Sequence, residues 1–435
     1  MVGARILANS ATSDAATADA DAGRWRQLAW LAAVELLAMA LWFSATAVAP
    51  ALRAEWQLSS ASAAWLTISV QLGFVIGALA SAVLNLSERW AAPAMMAGCA
   101  AAGALFNGGL LLIEPDFGRT GAGLTTALLL RMATGAMLAG VYPTGMKLLA
   151  TWFVRGRGLA IGVMVGSLTV GSALPHLLSA LPLELWSRAT TAWPAWKLVI
   201  AAASVCAIVA AIIALALVRN GPYLQRSARF DWRYFARVWT EPALLRANCG
   251  YLGHMFELYA MWTFAPQFLL SSYAAAEFSE TSARLAGFAT VAIGCIGCIV
   301  AGRIADRAGR SWTTIASLAA SGSCALVAGS LHGQPTLLTA VCLLWGLTVV
   351  ADSAQFSAAI SELCDPQFIG TALTIQTCAG FLLTTLTIRA VPALAGAVGW
   401  PVAFGVLALG PVFGIYHMTR LRGIPEAAKM AGGRR

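Results

Sequence analysis

Charge is what this chain of 435 residues has least of: Asp, Glu, Lys and Arg make up only 11% of it, against about 25% in ordinary soluble domains. A soluble fold of this length needs a polar shell, and the residues for it are missing. Histidine is scarce too, with four widely separated copies, which leaves no spacing for a zinc site. There is no G-x-x-x-x-G-K-[ST] phosphate loop, so no ATP-driven pump is implied. No hydrolase nucleophile stands in an exposed loop context. The short alternating segments of a membrane β-barrel are absent as well. The nine cysteines are scattered, mostly through apolar segments. Their one close pair, Cys295 and Cys298 in GCIGC, alternates with Gly294 and Gly297 and reads as helix packing. The expectation is therefore a non-enzyme with no metal and no cofactor.

What is present is apolar length. The chain is 59% hydrophobic with a mean hydropathy of +0.75. Runs of about 20 apolar residues recur, each able to cross the roughly 30 Å hydrocarbon core as a helix. Twelve spans are predicted, at 28–50, 62–85, 92–113, 122–149, 157–180 and 195–218, then 245–270, 284–304, 312–332, 336–361, 369–391 and 398–419. The expected fold is an all-α integral membrane protein of twelve transmembrane helices in two six-helix bundles. Residues 1–23, small, polar and mildly acidic in NSATSDAATADADAG, read as a disordered cytoplasmic tail rather than a cleaved signal. The bundles are placed at 24–218 and 244–420, with a basic linker at 219–243 and a basic tail at 421–435.

Orientation follows from the arginines. With the N-terminus inside, 20 of the 28 basic residues fall in inside segments, and the outside loops hold Arg53, Arg119, Arg188, Lys197 and Arg284. The positive-inside rule then puts both termini in the cytoplasm, in a multi-pass protein of the cell inner (plasma) membrane. The net charge of +9 needs no nucleic acid to explain it, because topology does. The partners expected are the lipid bilayer, a small-molecule solute and a coupling proton, on a monomeric chain. The linker's arginines and aromatics fit either an amphipathic helix along the anionic leaflet or a plain basic connector.

The two halves speak in similar words. VELLAM (34–39) in the first span returns as FELYAM (256–261) in the seventh, so Glu35 and Glu257 lie 222 residues apart. The acid–base pair Glu88-Arg89 after the second span is answered by Asp306-Arg307 after the eighth, with 218 residues between the two arginines. A six-helix unit duplicated in parallel fits both, and such repeats mark transporters whose site lies near the midplane. GRIADRAGR, from Gly302 through Asp306, Arg307 and Gly309 to Arg310, then resembles the G-x-x-x-D-R-x-G-R loop of the major facilitator superfamily. Its counterpart NLSERWAAP keeps the acid–base pair but loses the glycine and the last arginine. RMATGAMLAG (131–140) is similar to that superfamily's R-x-x-x-G-x-x-x-x-G element. Gly158, Gly162, Gly166, Gly171 and Pro175 resemble its glycine-rich fifth helix, without the G-P-x-x-G-G form of many drug antiporters. The resemblance implies alternating access, with a gating loop at Gly302, Asp306, Arg307, Gly309 and Arg310 and a weaker one at Glu88 and Arg89. Among its branches the chain loosely resembles the nitrate/nitrite porters, although the spans around Gln71 and Ile293 lack that branch's buried arginines.

Ionisable groups at mid-span cost roughly 2.5–3.5 kcal/mol on insertion scales, so each asks for a role. Glu35, Arg131, Glu257 and Asp352 fall on spans one, four, seven and ten, which line the central cavity in the fold that the resemblance implies. His254 and Glu257 share a helix face, as do Asp352 and Gln355. The expectation is proton coupling at Glu257 and His254, and a substrate cavity formed by Glu35, Arg131, Asp352, Gln355, Gln71 and Gln376. The function expected is secondary active transport of a small polar or ionised solute. The alternatives are a drug-efflux antiporter and a non-transporting sensor or assembly factor on the same fold.

Overall fold

The structure is a computed structural model, and it describes residues 23–153, 157–181, 193–223 and 230–435. The predicted disordered tail lies, but for its last residue, outside the described residues. Among the described residues the fold is all-helical, with twelve spans in two six-helix halves. In the first half α1 covers 23–39 and resumes as Ser44–Ala47 and Ala49–Trp56. It is followed by α2 (Ser60–Val83), α3 (Ala92–Gly108), α4 (Gly121–Leu138 with Tyr142–Ala150), α5 (Arg157–Ala180) and α6 (Ala195–Leu217). A short linker helix, Trp232–Thr240, precedes the second half. There α7 (Pro242–Ala275), α8 (Glu280–Ala292 with Gly294–Ala308) and α9 (Arg310–Ala328) lead to α10 (Pro335–Val349 with Ser353–Leu363). The last two spans are α11 (Ile369–Val398) and α12 (Trp400–Gly405 continuing through Leu409–Arg422).

Local chemistry sets these bounds. The hydroxyls of Ser59, Thr120 and Ser279 cap α2, α4 and α8 by accepting the N–H three residues on. Pro242, Pro335 and Pro401 stand in the first turn of α7, α10 and α12, where a missing N–H costs nothing. Two connections are a single residue each: Gly309 between α8 and α9, and Gly399 between α11 and α12. Their φ of +95° and +90° requires glycine.

Ten of the described helices are long and apolar enough to cross a membrane. The first and seventh spans fall outside that set. One is interrupted, and the other carries Arg246, Asn248, His254 and Glu257 along its 34 residues. The outermost helices show the bilayer's imprint. Leu105 and Leu112 near α3, Ile212 and Leu215 on α6, Leu326 on α9 and Val412 on α12 are all exposed aliphatics, a belt that only lipid covers. The repeat is visible in packing as well as in sequence. Gly135 of α4 lies against the Val70 carbonyl of α2, and Gly346 of α10 lies likewise against the Thr290 carbonyl of α8. Any Cβ at either glycine would overlap that carbonyl, so both pairs of axes approach as closely as backbones allow.

Four spans read from sequence as continuous are broken near the middle, α8 only at Ile293. α1 stops at 39 and resumes at Ser44, α4 pauses at 139–141 and α10 at 350–352. Apart from Asp352 the residues there are apolar or small, so hydropathy carries little trace of the interruption. The C-terminal tail is also more ordered than a basic tail suggests. Pro425–Gly433 forms short 3₁₀ turns that bury Ala427 and Met430.

Candidate functional site

Between the halves lies a cleft of about 280 Å³, on the face away from the described chain ends. Thr46, Ser60 and Thr67 line it from the first half, and Thr263, Gln267 and Trp400 from the second. Arg53 is the one charged residue in its lining. The Thr46 and Thr67 hydroxyls bond to each other at 2.7 Å and tie α1 to α2.

Six rings close the cleft from below. Trp42, Phe43 and Phe74 from the first half meet Tyr259, Trp262 and Phe381 from the second. Phe74 and Phe381 are 4.6 Å apart between centroids, Trp42 and Phe381 5.3 Å, and Tyr259 and Trp262 5.5 Å. All six are nearly fully buried. Tilted and edge-on pairs at these distances contribute beyond their area. The rings come from α1, α2, α7 and α11, and reading each helix alone did not assemble them. The only signal was aromatic spacing, such as Tyr259 and Trp262 three apart. Several polar atoms around this layer find no protein partner among the described residues: the indole nitrogens of Trp42 and Trp262 and the side-chain amides of Gln71 and Gln376. Buried polar groups left this way call for water or a ligand.

The opposite, terminus-bearing face is shut. Gly158, Gly162 and Gly166, one per turn of α5, pack on α8 at Gly302, Cys298 and Cys295. Both cysteines thus serve helix contact, and Cys298 Sγ also donates to the Val350 carbonyl at 3.4 Å. The Asp306 carboxylate fills the space where a Cβ on Gly158 would sit. That sets an anion from the second half on the first turn of α5 in the first half, where the helix dipole favours it by 0.3–1 kcal/mol or more. Arg310 grips Glu362 with two parallel bonds of 3.0 and 2.7 Å and donates to Gln355 at 2.8 Å, with Asp306 at 3.7 Å. The tail joins in, since the Ala431 N–H donates to Glu362 at 3.0 Å and the Arg434 guanidinium donates to the Asp306 carbonyl. Arg307 and Arg89 are exposed. In the first half Glu88 pairs with Lys147 near the end of α4. The two halves therefore use the same pairing with the charges exchanged, acid on the loop in one and base on the loop in the other.

Asp306→Asn is expected to loosen this closed face, because Asp306 alone of these acids reaches across to the other half. Paired distance labels at Leu84 and Gly370, on neighbouring ends of α2 and α11, should report a wider separation. Unchanged distances with unchanged transport would reduce the loop to a topology marker. Glu88→Gln should matter less, since its partner lies in its own half.

The mid-span charges divide into satisfied and unsatisfied groups. Arg131 is saturated. Its guanidinium donates to the Leu41 and Trp42 carbonyls at 2.9 and 2.5 Å, to Leu66 at 3.3 Å, to Ser44 at 3.1 Å and to Asn107 at 2.8 Å. Every acceptor is neutral, and two are the carbonyls released where α1 breaks. Glu257 turns away from the cleft, toward α9 and α10, where Ser321 and Trp345 donate to its two oxygens at 2.8 and 2.7 Å. His254 and Asp352 approach to 2.9 Å, both 1% exposed, without the alignment of a hydrogen bond. Asp352 sits in the break of α10, and the rings of Tyr251 and Phe356 flank His254. Glu35 is fully buried, and neither oxygen has a hydrogen-bond partner among the described residues. It lies beside Gly145, whose open side also receives the methyls of Met96 and Met164.

The structure thus places Glu35, Arg131, Glu257 and Asp352 on the four expected helices but inside the two halves. None of them lines the cleft, and neither do Gln71, Gln355 or Gln376. The reason is rotation about the helix axis: Glu35, Arg131, Glu257, Asp352 and Gln355 face sister helices of their own half, and threonines and rings take the interface positions. No group of three or more His, Cys, Asp or Glu capable of holding a metal occurs among the described residues.

A family model described as Major Facilitator Superfamily matches residues 31–347, well over half of the chain. Among solved structures the fold is similar to that of the proton:xylose symporter XylE bound to 6-bromo-6-deoxy-D-glucose. The TM-score is 0.72 at 13% identity, over 92% of this chain and 96% of that one. It is also similar to a bacterial homolog of the human lysosomal transporter Spinster in an inward-facing, unoccupied conformation. Here the TM-score is 0.64 at 15% identity, covering 94% and 97%. At these identities the likeness is one of fold. No curated protein matches the sequence.

Proposed function

The chain belongs to the major facilitator superfamily, and from that premise we propose that it is a secondary transporter carrying a small solute by alternating access. Both termini are assigned to the cytoplasm of an inner-membrane protein, from the arginine asymmetry. The observation that carries the reading is the one-sided cleft between the halves, open away from the termini while the glycine-packed, Asp306-latched face is closed. Two differently sealed faces around one central layer are what a carrier needs to expose a site to one side at a time.

The substrate belongs at the ring layer. Unpartnered amides and indole N–H groups there suit a solute with hydrogen-bonding groups and an apolar face. A strongly anionic solute such as nitrate finds Arg53 at the cleft but no arginine in the middle of α2 or α8. The drug-efflux alternative draws support from the same six rings.

Proton coupling is assigned to the carboxyls of the repeat, with Glu35 ahead of Glu257. Glu257 has a donor on each oxygen, the surroundings of a group held in one state. Glu35 has none, and an isolated carboxylate is among the costliest groups to bury. A carboxyl that carries its proton while dry and releases it when wetted fits Glu35.

Alternating access is testable without a known substrate. Nitroxide pairs at Ser60–Gly396 span the cleft, and pairs at Leu84–Gly370 span the opposite ends of the same two helices. In liposomes across pH 5–8 the two distances are expected to be anticorrelated, one widening as the other narrows. A single invariant distance at both ends under every condition would remove the carrier reading.

A further inference from the structure

The linker helix Trp232–Thr240 has three differently occupied flanks. Advancing about 100° per residue, Tyr234 and Val238 fall on one flank, and both are buried. Tyr234 stacks on Phe368 at 4.2 Å between centroids, and its hydroxyl meets Cys364 Sγ at 3.1 Å. That flank seats the helix on the α10–α11 connection. Arg233 and Arg237 fall on a second flank. Arg237 bonds Asp365 of the same connection at 3.1 Å and lies 3.3 Å from Glu241, so this side turns along the protein. The third flank holds Trp232, Phe235 and Trp239 within about 60° of one another. It lies nearly opposite the arginines, which directs it away from the protein. Trp232 is 61% exposed and Phe235 46%, with Trp239 half-buried at the edge.

Exposed aromatics at this level are not confined to the linker. Trp25 at the start of α1, Trp90 before α3, Trp312 in the first turn of α9 and Tyr416 near the end of α12 are also exposed. All four stand at span ends on the terminus-bearing face. They mark the plane where amphipathic rings sit between headgroups and acyl chains. The linker helix ends directly before Pro242, where α7 begins, so Trp232 and Phe235 continue that belt.

We propose that the linker helix is an in-plane membrane anchor whose Trp232 and Phe235 insert into the headgroup–acyl boundary of the phospholipid leaflet at the terminus-bearing face. The proposal rests on the membrane-spanning fold and is independent of which solute is carried. Its chemistry is that of an interfacial amphipathic helix, with rings in the boundary and Arg233 toward headgroup phosphates. Because Tyr234 and Arg237 tie the helix to the α10–α11 connection, the anchor holds that end of the second half at membrane depth.

Nitroxide labels at Trp232→Cys, Phe235→Cys, Arg233→Cys and Thr240→Cys, on the full chain with its native cysteines replaced and in phospholipid bilayers, test this. Collision with oxygen relative to a water-soluble nickel chelate should be several-fold higher at 232 and 235 than at 233 and 240. Equal ratios at all four positions would overturn the anchor and leave a water-exposed face, open to a protein partner. If the cysteine-free chain does not fold, a phospholipid carrying a headgroup-level diazirine can be photolysed with the native chain. Adducts at Trp232 and Phe235 support the anchor, and adducts confined to the twelve spans refute it.

Discussion

Glu35→Gln is expected to abolish accumulation driven by a proton gradient while leaving folding and gradient-free exchange close to those of the native chain. Glutamine keeps the shape of the side chain and cannot titrate. Nothing among the described residues bonds either Glu35 oxygen, so no dedicated hydrogen bond is lost. Glu257→Gln should behave differently. Ser321 can turn its hydroxyl to suit an amide, but one donor–acceptor match is weakened, which costs about 1 kcal/mol of stability with coupling retained. Proteoliposome flux with and without a pH gradient, beside thermal unfolding of each variant, separates the two. If Glu35→Gln still accumulates solute and Glu257→Gln does not, the assignment reverses, and the two donors on Glu257 hold a working carboxylate rather than a fixed one.

Arg131→Met is expected to be the most destabilising substitution on the cavity helices. It strips donors from the carbonyls of Leu41, Trp42 and Leu66 and from the Asn107 amide oxygen, all buried. Ser44 Oγ can still serve either the Leu41 carbonyl or Asn107 Oδ1, so the loss falls on the Trp42 carbonyl and on whichever of those two Ser44 leaves; at about 1–3 kcal/mol for each unsatisfied buried acceptor, this is a large share of a usual folding margin of about 5–15 kcal/mol. A drop in Tm on the order of 10 °C, or failure to accumulate in the membrane, follows from such a loss. Arg131→Lys should be intermediate, because one ammonium cannot reach acceptors on three helices in the planar arrangement a guanidinium serves. The same break positions Trp42 and Phe43 in the ring layer, so the surviving Lys variant should show altered access at the cleft. If Arg131→Met melts like the native chain and loses only solute binding, the arginine belongs to the solute path and not to the scaffold.

The sequence by itself determined the class of this protein, for reasons that act locally. A helix must bring about 20 apolar residues to cross lipid, so each span announces itself, and all twelve are found, most of them within a few residues of where hydropathy puts them. The duplicated six-helix plan was legible too, because Glu35 with Glu257 and Glu88 with Asp306 sit at matching points of each unit. The GRIADRAGR loop was legible as a motif because Gly309 needs a positive φ that no other residue adopts cheaply.

Tertiary structure alone decided what those residues touch. Composition places Glu257 at mid-membrane, but only the rotation of α7 turns it from the cleft to Ser321 and Trp345. Arg131 looked like a solute ligand because insertion cost was the only measure of it, whereas three of its five acceptors are backbone carbonyls that carry no sequence signal. The ring layer needed four helices side by side. The charge-exchanged pairs Glu88–Lys147 and Arg310–Glu362 join residues more than 50 positions apart. Hydropathy and periodicity report how a residue meets its own helix and the lipid. Which sister helix it faces depends on axial rotation and on breaks such as 40–43, and these are settled by packing between spans.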